Sequence, residues 1–224
     1  NISYVLSSVA EPVKKNAHVI TRYENQVFEV ADLDKATLNV HRVVTIVDAE
    51  GKDQLHFGQY TSKYVGLDEV EIKVYDAFGK MVNKYKKKDM YTQAVGSGLI
   101  EEGNYTSFNI PVPSYPATIE TKYELKYKGT LFLPSFNIIS PGEGVEISSF
   151  TAKVPKSFEL RYKETNIALK PEVTEDAKNK TYKWTVTNMA PVEDEEGAVS
   201  SEYRFPSIQL APNKFSFYGY EGDI

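Results

Sequence analysis

The chain alternates apolar and polar positions over many short stretches, and this pattern predicts β-strands. In residues 69–75, Val70, Ile72 and Val74 alternate with charged residues and a tyrosine. That is the period of a strand with one buried face. Residues 76–79 (DAFG) follow as a turn, with Asp first and Gly last, and a second strand begins at Met81. Residues 70–85 therefore predict an antiparallel hairpin.

Three further stretches have the same period. In residues 37–47 one face carries the apolar side chains and is interrupted by Arg42. Residues 118–128 alternate apolar or aromatic residues with Glu and Lys, which predicts a half-exposed strand whose polar face includes Glu120. In residues 181–188, Tyr182, Trp184 and Val186 share a face. We predict that this face, and Trp184 in particular, is buried between two sheets.

Other segments are interpreted as strands or as connections. Residues 145–155, 157–164 and 166–171 predict three more strands. Residues 54–69 predict a loop with one short helix, because Gly58 and Gly66 limit a helical pattern. Residues 84–105 predict a long connection, and the three prolines of residues 106–120 predict a sheet edge or a crossing between sheets.

Ten or more strands with little helix and no fixed repeat predict an all-β fold. We expect a large two-sheet antiparallel β-sandwich, immunoglobulin-like or a supersandwich, that forms one domain over residues 1–224. The alternative domain boundary lies in the apolar, Pro- and Gly-punctuated connector at residues 134–144.

Composition narrows the function classes. The 224 residues carry a net charge of −5, which argues against a nucleic-acid partner, and no apolar run approaches the length of a transmembrane segment. Cysteine is absent, which excludes a disulfide scaffold, a zinc–thiolate site and a cysteine nucleophile within these residues. The first residues lack a signal-peptide pattern, so we expect that a signal never existed or was removed.

No cluster of residues predicts catalysis, a cofactor or a metal. His18, His41 and His56 are the only histidines, and their spacing does not suggest one site, so we expect each to be exposed or individually satisfied. Gly96-Ser97-Gly98 lacks the context of a nucleophile elbow. Residues 48–53 predict a turn rather than a calcium loop, and the acidic residues 193–196 predict a solvated loop.

One basic run and the aromatic content leave alternatives open. Four lysines, Lys84, Lys86, Lys87 and Lys88, either meet an anionic partner or protect an edge strand from aggregation, which we favour. The 16 tyrosines raise a carbohydrate-binding interpretation, but burial in a core explains them more simply.

The order of the motifs resembles a known family. These motifs are TIVDAEGKDQLHFGQYTSKYVGLDEVEIKVYDAFGKMVNKYKKKDM, SYPATIETKYELKYKGTLFLPSF, VEISSFTAKVPKSFELRYKETN, YKWTVTNMAPVEDE and FPSIQLAPNKFSFYGYEG. Together they are similar to the domain of unknown function that precedes transglutaminase-like domains in Gram-negative envelope proteins. The resemblance covers residue 17 to the C-terminus and implies a periplasmic or surface location. It implies no functional residues, because the Cys–His–Asp constellation belongs to the neighbouring domain.

Three functions follow as hypotheses. The first is a non-catalytic accessory module that supports or presents a downstream transglutaminase-like domain of the same polypeptide. The second is a carbohydrate- or peptide-binding module that delivers substrate to that domain, and the third is a stand-alone hydrolase. We further expect Phe215 and Phe217 to face the sandwich as a last strand, and Tyr218 and Tyr220 to contact the downstream domain.

Overall fold

The computed structural model describes residues 4–96, 103–192, 205–217 and 219–224. Short helical turns lie at Leu6–Ser8, Glu11–Lys14, Ala49–Leu55 and Lys87–Asp89. The strands are β1 Val19–Asp32, β2 Lys35–Ile46, β3 His56–Thr61, β4 Val65–Tyr75, β5 Met81–Lys86, β6 Tyr91–Val95, β7 Gly103–Asn109, β8 Ala117–Tyr127, β9 Phe136–Asn137, β10 Glu143–Pro155, β11 Leu160–Thr165, β12 Glu172–Glu175, β13 Asn179–Met189, β14 Ser207–Pro212, β15 Lys214–Phe217 and β16 Tyr220–Asp223.

Eight strands form one large sheet in the order β12-β13-β10-β1-β2-β8-β4-β5. Three small sheets, β3-β7-β6, β11-β14-β9 and β15-β16, accompany it. The prediction of an all-β fold is confirmed. The expectation of a purely antiparallel sandwich is wrong at one place, because β1 and β10 pair in parallel while their other neighbours are antiparallel.

The predicted hairpin is present as β4 and β5, and its turn shows why the sequence forms it. The carboxylate of Asp76 accepts hydrogen bonds from the backbone N–H groups of Phe78 and Lys80, both at 2.9 Å. Gly79 has a φ of +76°, a conformation that favours glycine. Val70, Ile72 and Val74 are buried as the alternation predicted.

One face of the large sheet packs against two of the small sheets, β3-β7-β6 and β11-β14-β9, and the core lies between them. Phe28, Phe150 and Trp184 come from the large sheet, whereas Phe136 and Ile208 come from a small one. The predicted burial of Tyr182, Trp184 and Val186 is confirmed. Ile138 and Ile139, in the connector at residues 134–144, belong to the same core.

Several segment predictions were wrong. Residues 54–69 contain β3 and the start of β4, which pair with β7 and β8 at a large distance along the chain. Residues 84–105 contain β6, which pairs with the next strand, β7. Residues 166–171 form no strand, and Asn166 has a φ of +57° there. Glu120, expected on an exposed face, is only 6% exposed.

Candidate functional site

The face of the large sheet turned away from the core is called the outer face here. Strand register places a row of polar side chains across it: Asn25 pairs with His41, His41 with Lys122, and Lys122 with Glu71. This row runs over β1, β2, β8 and β4 and ends at Lys86 on β5. A polar row at this position follows from the strand period, because the intervening residues face the core.

A groove with a volume of about 790 Å³ lies along this row. Its lining includes Asn25, Asn39, His41, Glu71, Lys122 and Glu124. Lys86, Lys87 and Lys88, from the predicted basic run, form one wall. The groove therefore offers amides, carboxylates and ammonium groups on a rigid strand scaffold.

Glu120 lies one row beyond the groove and is the centre of a hydrogen-bonded cluster. Its Oε2 accepts hydrogen bonds from the Tyr75 hydroxyl at 2.8 Å and the Tyr4 hydroxyl at 3.2 Å. Its Oε1 lies 2.9 Å from His41 Nε2 and 3.3 Å from Lys122 Nζ. The buried carboxylate is thus held on both oxygens, as a buried charge requires.

The cluster shifts the pKa values of its members in directions that the contacts explain. Burial acts to raise the pKa of Glu120, but the Tyr75 hydroxyl, Lys73 and His41 outweigh it and lower this pKa. Burial and the nearby Lys122 lower the pKa of His41, and the carboxylate of Glu120 only partly opposes them. At neutral pH the pair is therefore a carboxylate with a neutral imidazole.

Two lysines hold Glu71 at the edge of the same groove. Hydrogen bonds from Lys84 and Lys73 lower the pKa of Glu71 to about 2. Lys84 and Lys86 lie on β5, which is the edge strand of the large sheet, so the predicted edge position is confirmed for these two lysines, whereas Lys87 and Lys88 lie in the helical turn Lys87–Asp89.

A second charged cluster lies on the core side of the sheet, at a cleft of about 320 Å³. Arg42 Nη2 is 3.0 Å from Glu143 Oε1, and Arg42 Nε is 3.9 Å from Glu24 Oε1. Burial acts to lower the pKa of Arg42, but Glu143 and Glu24 outweigh it and raise this pKa.

Both carboxylates of this cluster have hydrogen bonds from the chain itself. The other oxygen of Glu24 accepts from the Ser148 hydroxyl at 2.8 Å, and that of Glu143 accepts from the Ser140 N–H at 2.9 Å. The fold itself supplies the hydrogen-bond donors to both carboxylates. We therefore interpret the cluster as structural and not as a pair of catalytic carboxylates.

The three histidines lie in three different places, as their spacing suggested. His18 contacts Asp48 and Glu50, at 2.9 and 3.2 Å, and His56 contacts Asn109 and the Tyr105 hydroxyl, at 2.8 and 3.1 Å. Within residues 4–96, 103–192, 205–217 and 219–224, no group of three or more His, Cys, Asp or Glu side chains is placed to hold a metal ion.

The other sequence-derived candidates are also placed. Asp48 begins the helical turn Ala49–Leu55 and accepts a hydrogen bond from the Glu50 N–H at 2.9 Å, which confirms a turn at residues 48–53. Residues 97–98 of the Gly-Ser-Gly run, the acidic residues 193–196 and Tyr218 lie outside the described residues. Tyr220 is 79% exposed. In β15, Phe215 and Phe217 are half-buried, and the buried residue between them is Ser216.

Sequence reasoning missed both charged clusters. Tyr4, Tyr75 and Glu120 are brought together only by the pairing of β4 with β8 and by the path of the N-terminal segment. Glu24, Arg42 and Glu143 likewise come from three separate strands. The one sequence signal was Arg42, a charge on an otherwise apolar strand face.

Fold and site together define a β-sandwich module with a polar groove on the outer face of its large sheet. The chain belongs to the DUF3857 family, a domain of unknown function with a solved structure, whose model matches residues 10–193. A comparison with curated proteins gives no match. No helix in the described part of the chain is both long and apolar enough to cross a membrane.

A solved structure shares the fold at low sequence identity. A chain named a "putative protease", from Parabacteroides distasonis, is similar with a TM-score of 0.72 and 12% identity, over 87% of this chain and 40% of that one. An M1 zinc metallopeptidase from Deinococcus radiodurans is similar with a TM-score of only 0.41 and 9% identity, over 87% of this chain and 42% of that one. This chain therefore spans well under half the length of either protein.

Proposed function

We propose that this chain is a non-catalytic accessory module that supports or presents a transglutaminase-like domain of the same polypeptide, in the periplasm or at the cell surface. One observation carries the proposal: the same fold, at a TM-score of 0.72, makes up only 40% of the longer Parabacteroides chain. In that protein the fold is one part of a larger polypeptide, which is the arrangement that an accessory module needs.

The chemistry of this chain is consistent with such a role. Transglutaminase-like chemistry needs a thiolate nucleophile, and the 224 residues contain no cysteine. The two buried charged clusters have their carboxylates hydrogen-bonded within the fold. In the proposed arrangement, the cysteine nucleophile therefore belongs to the partner domain.

The test compares the isolated chain with the full-length product of its gene, both assayed for incorporation of a fluorescent amine into a glutamine-bearing protein. We expect activity only in the full-length product, and we expect a thiol reagent to abolish it. Thiol-sensitive activity in the isolated chain, or a full-length product without a Cys–His–Asp set, would contradict the proposal. A serine-dependent hydrolase activity in the isolated chain would instead favour the third hypothesis.

A second candidate function is binding of a peptide or carbohydrate for delivery to the partner domain. The groove of about 790 Å³ on the outer face favours it, because its polar lining comes from rigid strands. Its one lining aromatic residue is Tyr123, whose pKa is raised mainly by burial. Sugar sites usually present an exposed ring, so the lining favours a peptide over a carbohydrate.

A further inference from the structure

The N-terminal segment crosses the outer face beside the groove and is anchored at one end. Val9, Val13 and Ala17 pack with Ile20 of β1 in a small buried cluster of their own. Tyr4 lies beyond this anchor, on the other side of the helical turn Leu6–Ser8, and is half-buried. The contacts of Tyr4 are therefore separate from the contacts that hold the rest of the segment.

Three groups on the sheet and one turn surround Tyr4. Its ring stacks on the ring of Tyr75, with centroids 4.0 Å apart and planes 14° apart. Its hydroxyl donates to Glu120 Oε2, and its backbone carbonyl accepts from the Thr118 hydroxyl at 3.3 Å. A Cβ atom at Gly79 would lie 3.3 Å from the Cβ of Tyr4, so the hairpin turn closes one side.

The receiving groups have partners that do not involve Tyr4. The Tyr75 hydroxyl donates to Glu120 at 2.8 Å, and the other carboxylate oxygen is held by His41 and Lys122. The hydroxyl of Thr118 is also 2.8 Å from the hydroxyl of Thr45. These groups lie on β4, β8 and β2 and keep one another in place, which makes the site preformed.

The site is continuous with the groove. His41 and Lys122, which hold one oxygen of Glu120, are also lining residues of the groove. Asn25 and Asn39 line the same groove. Asn side chains offer both a donor and an acceptor, which suits the polar groups of a peptide backbone.

We propose that the outer-face groove binds an extended peptide. A tyrosine side chain of this peptide would take the site that Tyr4 of the chain itself occupies in this structure. The ring stacks on Tyr75, the phenol donates to Glu120, and the Thr118 hydroxyl binds the peptide carbonyl. Displacement of Tyr4 opens the site without disturbing the anchor at Val9 and Val13. The inference rests on the second candidate function, peptide binding, and extends it. It requires no partner domain, so a failure of the amine-incorporation assay and a failure of the binding assay can be told apart.

The test is an NMR titration with N-acetyl-tyrosinamide of the wild-type chain and of the Tyr4→Ala variant. We expect the variant to bind at least about tenfold more tightly, with shifts at Tyr75, Thr118 and Glu120, because the competing ring is gone. N-acetyl-phenylalaninamide, which lacks the phenol, should bind about tenfold more weakly than the tyrosine probe, the value of one hydrogen bond to a charged group. Adding Glu120→Gln to the variant should reduce this difference between the probes, because a neutral amide oxygen is a weaker acceptor than a carboxylate.

Tyr91→Ala serves as the matched control, because Tyr91 is exposed on the separate sheet β3-β7-β6 and its loss should leave the titration unchanged. Equal binding by wild type and Tyr4→Ala would overturn the proposal. So would an absence of binding to the variant at ~10 mM probe, a concentration at which even weak sites fill. A Tyr4→Ala chain that failed to fold would also overturn it, since Tyr4 would then be part of the core.

Discussion

Phe150 on β10 and Trp184 on β13 are directly paired across the two strands, and their rings stack with centroids 5.9 Å apart. Both side chains are 0% exposed. The Trp184 Nε1–H also donates to Glu164 Oε1 at 3.4 Å. The pair joins β10 and β13 of the large sheet to the small sheet that contains Phe136, which stacks on Phe150 at 5.2 Å.

Truncation of Trp184 tests whether this pair belongs to the core. We expect Trp184→Ala to lower the free energy of unfolding by about 3–5 kcal/mol, the range for a buried aromatic side chain. Phe78→Ala is the control, because Phe78 is 87% exposed, and its effect should stay within about 0.5 kcal/mol. Urea denaturation measures both, and an unchanged midpoint for Trp184→Ala would contradict the core assignment.

The close approach of the N-terminal helical turn to β10 gives a second prediction. A Cβ atom at Gly144 would lie 2.0 Å from the carbonyl oxygen of Val13, a backbone atom that cannot move freely. We expect Gly144→Ala to cost about 1–3 kcal/mol, as overpacking does. At Gly66 nothing lies within 4 Å of such an atom.

Thermal melting of Gly144→Ala and Gly66→Ala distinguishes this contact from a general effect of replacing glycine in a strand. Only the first substitution should lower the melting temperature. Equal melting temperatures for the two variants would show that residues 11–14 do not pack against β10 as described.

The lysines of the edge strand β5 give a third prediction. Lys84 and Lys86 sit at the outer edge of the large sheet, where unpaired backbone groups invite another strand. We expect Lys84→Thr with Lys86→Thr to produce concentration-dependent association in light scattering. The same change at Lys122 and Lys126, which lie on the interior strand β8, should produce a variant that associates no more than the wild type does. If both double variants associate, the lysines of the edge strand have no special role in preventing association.

The Glu120 cluster predicts a loss of stability on acidification. The pKa of His41 in the folded chain lies below its ordinary value of 6.5, so the unfolded chain takes up this proton first as pH falls. Stability is then full above about pH 6.5 and decreases as pH falls through the lower folded pKa of His41. Glu120, whose folded pKa is also lowered, adds a further loss at more acidic pH, below its ordinary value of 4.5.

Denaturation of the His41→Asn variant at a series of pH values checks that His41 loses its contribution to stability before Glu120 does as pH falls. In the variant, the free energy of unfolding should no longer decrease as pH falls below about 6.5. It should still decrease at more acidic pH, because Glu120 remains. An NMR titration of the imidazole should give a pKa below 6.5 in the folded chain. A pKa above that value would mean that the attraction of Glu120 outweighs burial and Lys122.

The sequence predicted the local features of this fold well and its long-range pairings poorly. The hairpin at residues 70–85 and the buried face of Trp184 depend on alternation and turn chemistry, which are written in adjacent residues. The parallel pairing of β1 with β10, which joins Glu24 to Ser148, leaves no such local signal. The same reason explains Glu120: its burial depends on Tyr4, which is 116 residues away.

The central claim is that this fold serves a partner domain of its own polypeptide, and the C-terminal strands are where we expect contact. Tyr220 is 79% and Ile224 is 65% exposed, and the half-buried Phe217 stacks on Tyr64 with centroids 4.6 Å apart. Exposed apolar and aromatic side chains grouped on one small sheet are a natural docking surface.

Hydrogen exchange over residues 214–222, measured in the isolated chain and in the full-length product of the gene, tests this claim most directly. We predict slower exchange in the full-length product, with strands β10 and β13 unchanged as the internal reference. Equal exchange over residues 214–222 in both proteins would contradict docking through Tyr218 and Tyr220, and would assign these aromatic residues to the module alone.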